Sequence, residues 1–396
     1  MDMQIYLFNP DADLALADNR PTYVAPDTVR QMTRDLALLP FWYAGDGGGV
    51  RVASPDEKAW VEQMNERFRR NIVPVLAKDW HSLGETKWMP WGWTPALRRS
   101  LLEEGAEEIN LPGEEILAEW RGLASRERVS AWLEDLGEIG GKRAESMNLR
   151  ELSACRSYVE GHRAVVLKAP WSGSGKGLRW CKRIFLPDVE GWCARLLRKH
   201  GVLTASPVYD KVEDFAMEFY SDGQGRVSFE GYSLFSTTYG GAYGGNRLLA
   251  DELVEQRMEG YGLGETLRKV RAKVLEIAAC HTGGYQGYWG IDMMVCREEE
   301  ADRYWIHPCV EVNLRMNMGV VALKLRQRLL APGRMGRLMI DYLPTSGAMY
   351  TRHVEDEERY PLRVEQGRVE EGYLALTPLM RESRYRAALY VGLTSP

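Results

Sequence analysis

Pro308-Cys309-Val310-Glu311-Val312-Asn313-Leu314-Arg315 is the stretch on which the reading of this chain turns. Its apolar residues predict a strand over Trp305 to Val312, and on a strand Glu311 and Asn313, two apart, share one face. Upstream, Trp289-Gly290-Ile291-Asp292-Met293-Met294-Val295-Cys296 predicts a second strand that carries one acid, Asp292, among apolar neighbours. Three oxygen-bearing side chains can therefore converge. Burying such acids without a cation or donors costs several kcal/mol. Oxygen ligands of this kind suit magnesium, which takes one or two carboxylates together with phosphate oxygens and water. The competing reading leaves all three on an exposed sheet face, and the Met and Val residues that flank both acids weigh against it.

A second informative stretch is Val165-Val166-Leu167-Lys168-Ala169-Pro170-Trp171-Ser172-Gly173-Ser174-Gly175-Lys176-Gly177-Leu178. A lysine ends an apolar strand, and a proline with alternating Gly and Ser then brings backbone N–H groups and positive charge close to an anion. Polyphosphate is the natural ligand. The stretch is not a P-loop, because Pro170 stands where that motif needs its first glycine and Gly177 follows Lys176 where it needs Ser or Thr. Alone, such a loop reads equally well as a hairpin tip with a solvated lysine.

Taken in order, Lys168-Ala169-Pro170 with the loop Ser172 to Gly177, then Gly290-Ile291-Asp292, then Glu311-Val312-Asn313-Leu314-Arg315, resemble the motifs of the ATP-grasp superfamily. The resemblance implies an α/β chain of α+β lobes with the ATP-grasp fold, and ATP and Mg2+ as cofactors. It further implies activation of a carboxylate as an acyl phosphate for attack by an amine. Position by position, Lys168 is implied to contact the phosphates near the α position. Ser172, Gly173, Ser174, Gly175, Lys176 and Gly177 would fold over the β- and γ-phosphates. Asp292, Glu311 and Asn313 would hold one or two magnesium ions.

The same resemblance sets Arg126, in Leu123-Ala124-Ser125-Arg126, where the family has a second phosphate-binding lysine, so a planar fork would replace a point charge. An ordinary first-turn surface arginine is the competing reading. Pro207, Val208, Tyr209 and Asp210 occupy the place of the hinge that meets adenine. Ser206 departs from the glutamate that many members carry, which leaves Asp210 as the expected ribose partner. Arg315 is implied to steady the phosphate under transfer, and with Lys168 it completes the expected catalytic pair.

Between these motifs, Phe235 to Arg247 is too rich in glycine and aromatics for a plain strand and is expected as a long loop of the kind that covers or binds a ligand. Tyr243, Asn246, Arg247 and Arg315 are the expected substrate contacts, with Arg247 able to pair a carboxylate. Disorder is the alternative. His281 and His307 read as structural histidines, since this chemistry needs no strong side-chain base.

The remaining chain alternates as an α/β domain does. A strand at Ile5 to Phe8 breaks at Asn9-Pro10 into a helix, helices follow at Thr28 to Leu38 and from Pro55, and a short strand lies at Val50 to Ala53. Trp88 to Pro95 is dense in aromatics and turn formers and is expected to bury its rings in a domain core. Four segments result: residues 1–112, an N-terminal α/β domain; 113–205, a first lobe with the glycine loop; 206–345, a second lobe with the metal site; and 346–396, a small C-terminal β extension.

With 396 residues, 51 basic and 56 acidic side chains, a formal net charge of -5 and no basic block, the chain is not expected to bind nucleic acid. No apolar run is long enough to cross a bilayer and no secretion signal opens the sequence, so a soluble, cytoplasmic protein is expected, with no membrane partner. The six cysteines contain no CxxC pair and read as reduced thiols. A homodimer is the base-rate assembly. The expected partners are a small-molecule or peptide carboxylate and an amine. The rival functions are a small-molecule kinase built on the same nucleotide cleft and a nucleotide-binding module without catalysis.

Overall fold

The apolar run Met3–Leu7 forms strand β1, in which Ile5, Tyr6 and Leu7 are all buried, as befits a parallel strand covered on both faces. After it come α1 (Ala12–Asp18), α2 (Asp27–Asp35), α3 (Pro40–Tyr43), β2 (Gly49–Val52), α4 (Pro55–Phe68), β3 (Val73–Leu76), β4 (Thr86–Pro90) and α5 (Pro95–Glu103). The strands lie in the order β3-β2-β1-β4, every neighbouring pair parallel. Local sequence starts the helices: the Ser54 hydroxyl accepts from the Glu57 N–H at 3.2 Å and that of Thr94 from the Leu97 N–H at 3.1 Å. A proline follows each cap, where its missing N–H costs nothing. The aromatic segment is more regular than its composition suggests. Trp88 sits in β4 opposite Ile5 and is buried edge-on against Trp80, while Pro90 ends an edge strand, where a missing donor is tolerated.

The structure is a computed structural model and describes residues 3–82, 86–173, 177–237, 243–298 and 301–392. The chain forms two compact units. The first gathers Met1–Ala118, Gly244–Ala250 and Arg315–Pro396; the second gathers Glu119–Tyr243 and Asp251–Leu314. Among the described residues no helix is long and apolar enough to cross a membrane, and all six cysteines are free thiols.

The second unit begins within α6 (Glu114–Leu123) and continues through α7 (Val129–Leu136), β5 (Met147–Leu149), α8 (Leu152–Gly161), β6 (Val165–Lys168), β7 (Leu178–Cys181), α9 (Pro187–His200) and β8 (Leu203–Pro207). These four strands make an antiparallel sheet ordered β5-β8-β6-β7. Val165, Leu167, Leu203 and Ala205 are buried in a core with Cys155 of α8 and Cys193 of α9. The period of two turns Val166, Lys168, Thr204 and Ser206 to the opposite face.

A larger antiparallel sheet follows, formed by β9 (Asp210–Asp222) and β10 (Val227–Thr237), then, after β11 (Tyr243–Leu248), α10 (Asp251–Gly260) and α11 (Gly264–Thr282), by β12 (Gln286–Glu298) and β13 (Arg303–Asn313). In this unit the order is β13-β12-β9-β10. Phe215, Met217, Phe219, Trp289, Ile291, Met293 and Val295 are fully buried on one face. The opposite face carries the polar residues.

The first unit closes with α12 (Met318–Leu329), β14 (Gly336–Tyr342), α13 (Ala348–Arg359), β15 (Arg363–Glu365), β16 (Arg368–Ala375) and β17 (Tyr385–Val391). Here the order is β11-β14-β17-β16-β15. Gln366 and Gly367 both take positive φ, 51° and 79°, the backbone that a two-residue hairpin turn between β15 and β16 requires. Arg386 of β17 is wholly buried, with Asp341 and Asp356 each 2.6 Å from its guanidinium and the hydroxyls of Tyr373 and Tyr390 beside them.

The segment Phe235 to Arg247 corrects an expectation. It is not one long loop: β10 runs to Thr237 and β11 begins at Tyr243, with residues 238–242 outside the described set. β11 pairs antiparallel with β14 from Asn246 to Leu248. Gly245 explains why a glycine-rich run serves here, because a Cβ at its φ of 126° would lie 2.7 Å from the Leu338 carbonyl oxygen.

Candidate functional site

Lys168 ends β6, and its ammonium donates to the Val310 carbonyl of β13 at 3.2 Å. That contact joins the polar faces of the two sheets of the second unit. A bulge in β13 makes it available. Asp292 pairs with Glu311 and Met294 with His307, so Pro308, Cys309 and Val310 together face only Met293. Pro308 has no N–H to give to a ladder, and the strand departs from regular pairing there.

Across β12 and β13, Asp292 lies directly opposite Glu311, and Gly290 directly opposite Asn313. Residues so paired share a face, which places the two carboxylates and the amide side by side. The same face carries Glu218 of β9, whose neighbour in the row is Gly290 and which is almost wholly buried. Among the described residues no three Asp, Glu, His or Cys side chains converge as a metal-holding cluster. Two carboxylates with one amide nevertheless fit magnesium, which takes few protein ligands and keeps water and phosphate for the rest.

Arg126 is 5 % exposed and draws the site together. Its Nη1 donates to the Ala169 carbonyl at 2.9 Å and to the Ser172 hydroxyl at 2.5 Å; Nη2 donates to the Ser172 carbonyl at 2.7 Å and to Glu311 Oε1 at 2.6 Å. Its backbone N–H donates to the Pro170 carbonyl at 3.0 Å. One guanidinium thus grips the root of the glycine loop and the strand carboxylate at once, and the surface reading of this arginine is excluded. Its Nε is buried with no hydrogen-bond partner among the described residues. Gly177 is tightly held at the far root: its carbonyl accepts from the Ala169 N–H, and a Cβ on it would lie 2.1 Å from the Ser172 oxygen. Gly173 is described and partly buried, whereas Ser174, Gly175 and Lys176 lie outside the described residues.

The electrostatics follow from this packing. Lys168 is pushed down to about 8, first by burial and then by the Arg126 charge, with Glu311, Cys309 and Asp292 pulling the other way. His307 is pushed down to about 3, by burial and by Lys168, so its ring is neutral. Burial raises the Cys309 thiol, which stays protonated. Two largely buried cations therefore stand beside two half-buried carboxylates.

The residues expected as the hinge lie beside Trp305 and His307. The Val208 N–H donates to the Ala164 carbonyl at 3.0 Å, and the Tyr209 ring meets Trp305 and His307 edge-on at 5.1 and 5.3 Å. The Tyr209 hydroxyl accepts from the Glu145 N–H at 3.1 Å. Pro207 ends β8, and Asp210 opens β9 exposed to solvent, opposite Arg297.

Three of the four expected substrate contacts belong to the first unit, and Tyr243 to the second. Arg315 follows β13 into the first unit and makes a two-point bond to Asp13 at 2.8 and 2.7 Å. Asn246 is buried and Arg247 exposed on β11 of the first unit, while Tyr243 is the last residue of the second unit's first segment. Sequence reasoning did not single out the buried Glu218 and Thr204, and it read His307 as structural. Glu218 in the apolar run Phe215 to Tyr220 was the available clue, since it is the same anomaly that singled out Asp292.

No family model matches this sequence, and no curated protein matches it. Among solved structures the chain is similar to N5-carboxyaminoimidazole synthetase from Staphylococcus aureus complexed with ADP, at 11% identity over 100% of this chain and 95% of that one, with a TM-score of 0.47. It is similar to biotin carboxylase from Campylobacter jejuni at 13% identity over 99% and 88% of the two chains, TM-score 0.49. A D-cycloserine synthetase gives 15% identity over 71% and 98%, TM-score 0.39.

Proposed function

We propose that the chain is an ATP-dependent ligase of the ATP-grasp type that joins a carboxylate to an amine. The observation that carries this reading is the buried pair of cations, Lys168 and Arg126, set between a glycine loop and the Asp292–Glu311 acid pair. An ammonium this deep is costly unless an anion arrives beside it. A triphosphate answers that need, with Lys168 on its oxygens and the described loop roots Ser172, Gly173 and Gly177 beside its outer phosphates. Asp292, Glu311 and Asn313 would hold magnesium, which neutralises phosphate charge when bound.

In this reading a substrate carboxylate oxygen attacks the γ-phosphorus, the bond to the β–γ bridging oxygen breaks, and ADP leaves. An amine then attacks the acyl carbon, the acyl C–O bond to the phosphate breaks, and inorganic phosphate leaves with the carboxylate oxygen and the proton that the nitrogen sheds. Lys168 and Arg126 stabilise the charge that builds on the transferring group because they are already fixed in place. Arg126 also keeps the loop root aligned with Glu311. Arg315 and Arg247 remain the side chains assigned to the substrate carboxylate.

The test is a coupled ADP-release assay over pooled amino acids, dipeptides and small diacids with amines, followed by mass spectrometry of any hit. Free phosphate with a condensed product supports ligation. A stable phosphoester would identify a kinase, and ATP binding without turnover on a broad panel would identify a non-catalytic module.

A further inference from the structure

Two buried polar atoms, on side chains that the ladders set on the polar faces of the second unit, have no hydrogen-bond partner among the described residues: Nδ1 of His307 and Oγ1 of Thr204. Both residues are nine-tenths buried or more, His307 at 3 % and Thr204 at 1 % exposure. Such orphans are rare in folded proteins and call for a ligand or a water. Their positions are informative. Thr204 pairs directly with Lys168, so its side chain lies on the lysine's face of the small sheet. His307 pairs with Met294, and Met294 lies two residues along β12 from Asp292 on the same face. Side chains on one strand face recur about every 7 Å. A nucleotide with its phosphates over Asp292 and Glu311 therefore reaches the Met294–His307 row with its base one or two intervals further along.

The two sheets run in step. Lys168 and Thr204 stand level with Val310, and beyond them Val166 and Ser206 lead to Val208 and Tyr209, whose ring touches His307. The small sheet thus offers an apolar surface at Val166, and the large sheet one at Met294. His307 closes the end between them, its ring set between Tyr209 and Trp305.

We infer that His307 and Thr204 form the base-reading end of the site, with His307 Nδ1 hydrogen-bonded to the polar edge of an adenine-type base and the Thr204 hydroxyl supporting the same nucleotide beside Lys168. This rests on the nucleotide reading proposed above and assigns specificity to residues outside the loop and acid motifs. A neutral imidazole can donate or accept at this atom, whereas an imidazolium would repel the neighbouring ammonium. His307 is thus a specificity-determining contact and not a proton carrier.

The experiment compares two probes, ATP and inorganic tripolyphosphate, by calorimetric binding to the full chain with magnesium. His307→Phe keeps the ring and removes the polar atom, and Thr204→Val removes the hydroxyl at constant shape. His307→Phe is expected to weaken ATP by roughly tenfold or more, the weight of one buried hydrogen bond, and to leave tripolyphosphate unchanged. Thr204→Val should weaken ATP by a smaller factor in the same selective way. His307→Gln, which restores a polar edge, should recover part of the loss. Equal weakening of both probes, or ATP affinity unchanged in both variants, would overturn the assignment. If the unaltered chain binds neither probe, the nucleotide reading itself falls, and the two failures are told apart by that control. Should His307→Phe not fold, the selectivity of Thr204→Val and His307→Gln decides alone.

Discussion

Nucleotide binding should draw a proton onto Lys168. In the free protein the ammonium sits at about 8, because burial and Arg126 outweigh Glu311, Cys309 and Asp292. A triphosphate placed against it would restore a value near the ordinary one for lysine, about 10.4. At about pH 8 the free site is then half protonated and the bound site fully so, giving an uptake of roughly 0.5 proton; at about pH 9 the uptake is roughly 0.9. By linkage the ATP dissociation constant should rise roughly five- to sevenfold per pH unit between about pH 8 and pH 10. Calorimetric titration of ATP at alkaline pH, in two buffers of unlike ionisation enthalpy, reads the uptake directly. Lys168→Met should abolish the difference between buffers. Heats that do not depend on the buffer at about pH 9 in the unaltered chain would refute the placement of phosphate at Lys168.

The same lysine sets a stability trend. Its native value is depressed, so between about pH 8 and pH 10.4 the unfolded chain holds a proton that the native chain has lost, and the lysine's destabilising effect fades as pH rises through that window. Lys168→Met should accordingly gain up to about 3 kcal/mol at neutral pH over the unaltered chain in urea unfolding, and nothing at about pH 10.5. Glu311→Gln should keep the melting temperature within a few degrees while ADP formation falls by roughly two to three orders of magnitude; unchanged turnover would remove Glu311 from the chemistry. Arg126→Gln strands the Ser172 and Ala169 carbonyls and the Glu311 carboxylate, and should cost about 3 to 5 kcal/mol by denaturant unfolding as well as nucleotide affinity. In the first unit, Arg386→Met leaves Asp341 and Asp356 without their buried cation, and a loss of the same size, about 3 to 5 kcal/mol, is expected at neutral pH.

The strands that matter were legible because their signals are local. The apolar run ending at Lys168, the acid inside Ile291 to Val295, and the spacing of Glu311 and Asn313 each fix a face by the period of two. The run Phe235 to Arg247 misled because glycine ordinarily weakens a strand, yet here a close approach of Gly245 to the Leu338 carbonyl requires it. Whether a glycine loosens a chain or lets two backbones meet depends on the partner strand, which composition does not contain.

By itself the sequence determined the identity and facing of the chemical groups: a lysine at a strand end, a glycine loop, and three oxygen donors on strand faces. Only the tertiary structure decided which of them meet. The Arg126–Glu311 bond spans 185 positions, the ladder set Asp292 against Glu311, and the Pro308 bulge turned the Val310 carbonyl toward Lys168. The same packing buried His307 Nδ1 and Thr204 Oγ1 with no hydrogen-bond partner among the described residues. The reason is that backbone periodicity acts over a few residues and is written in them, whereas register and burial are set by pairing between distant segments, where each side chain's charge and hydrogen bonds acquire their energies.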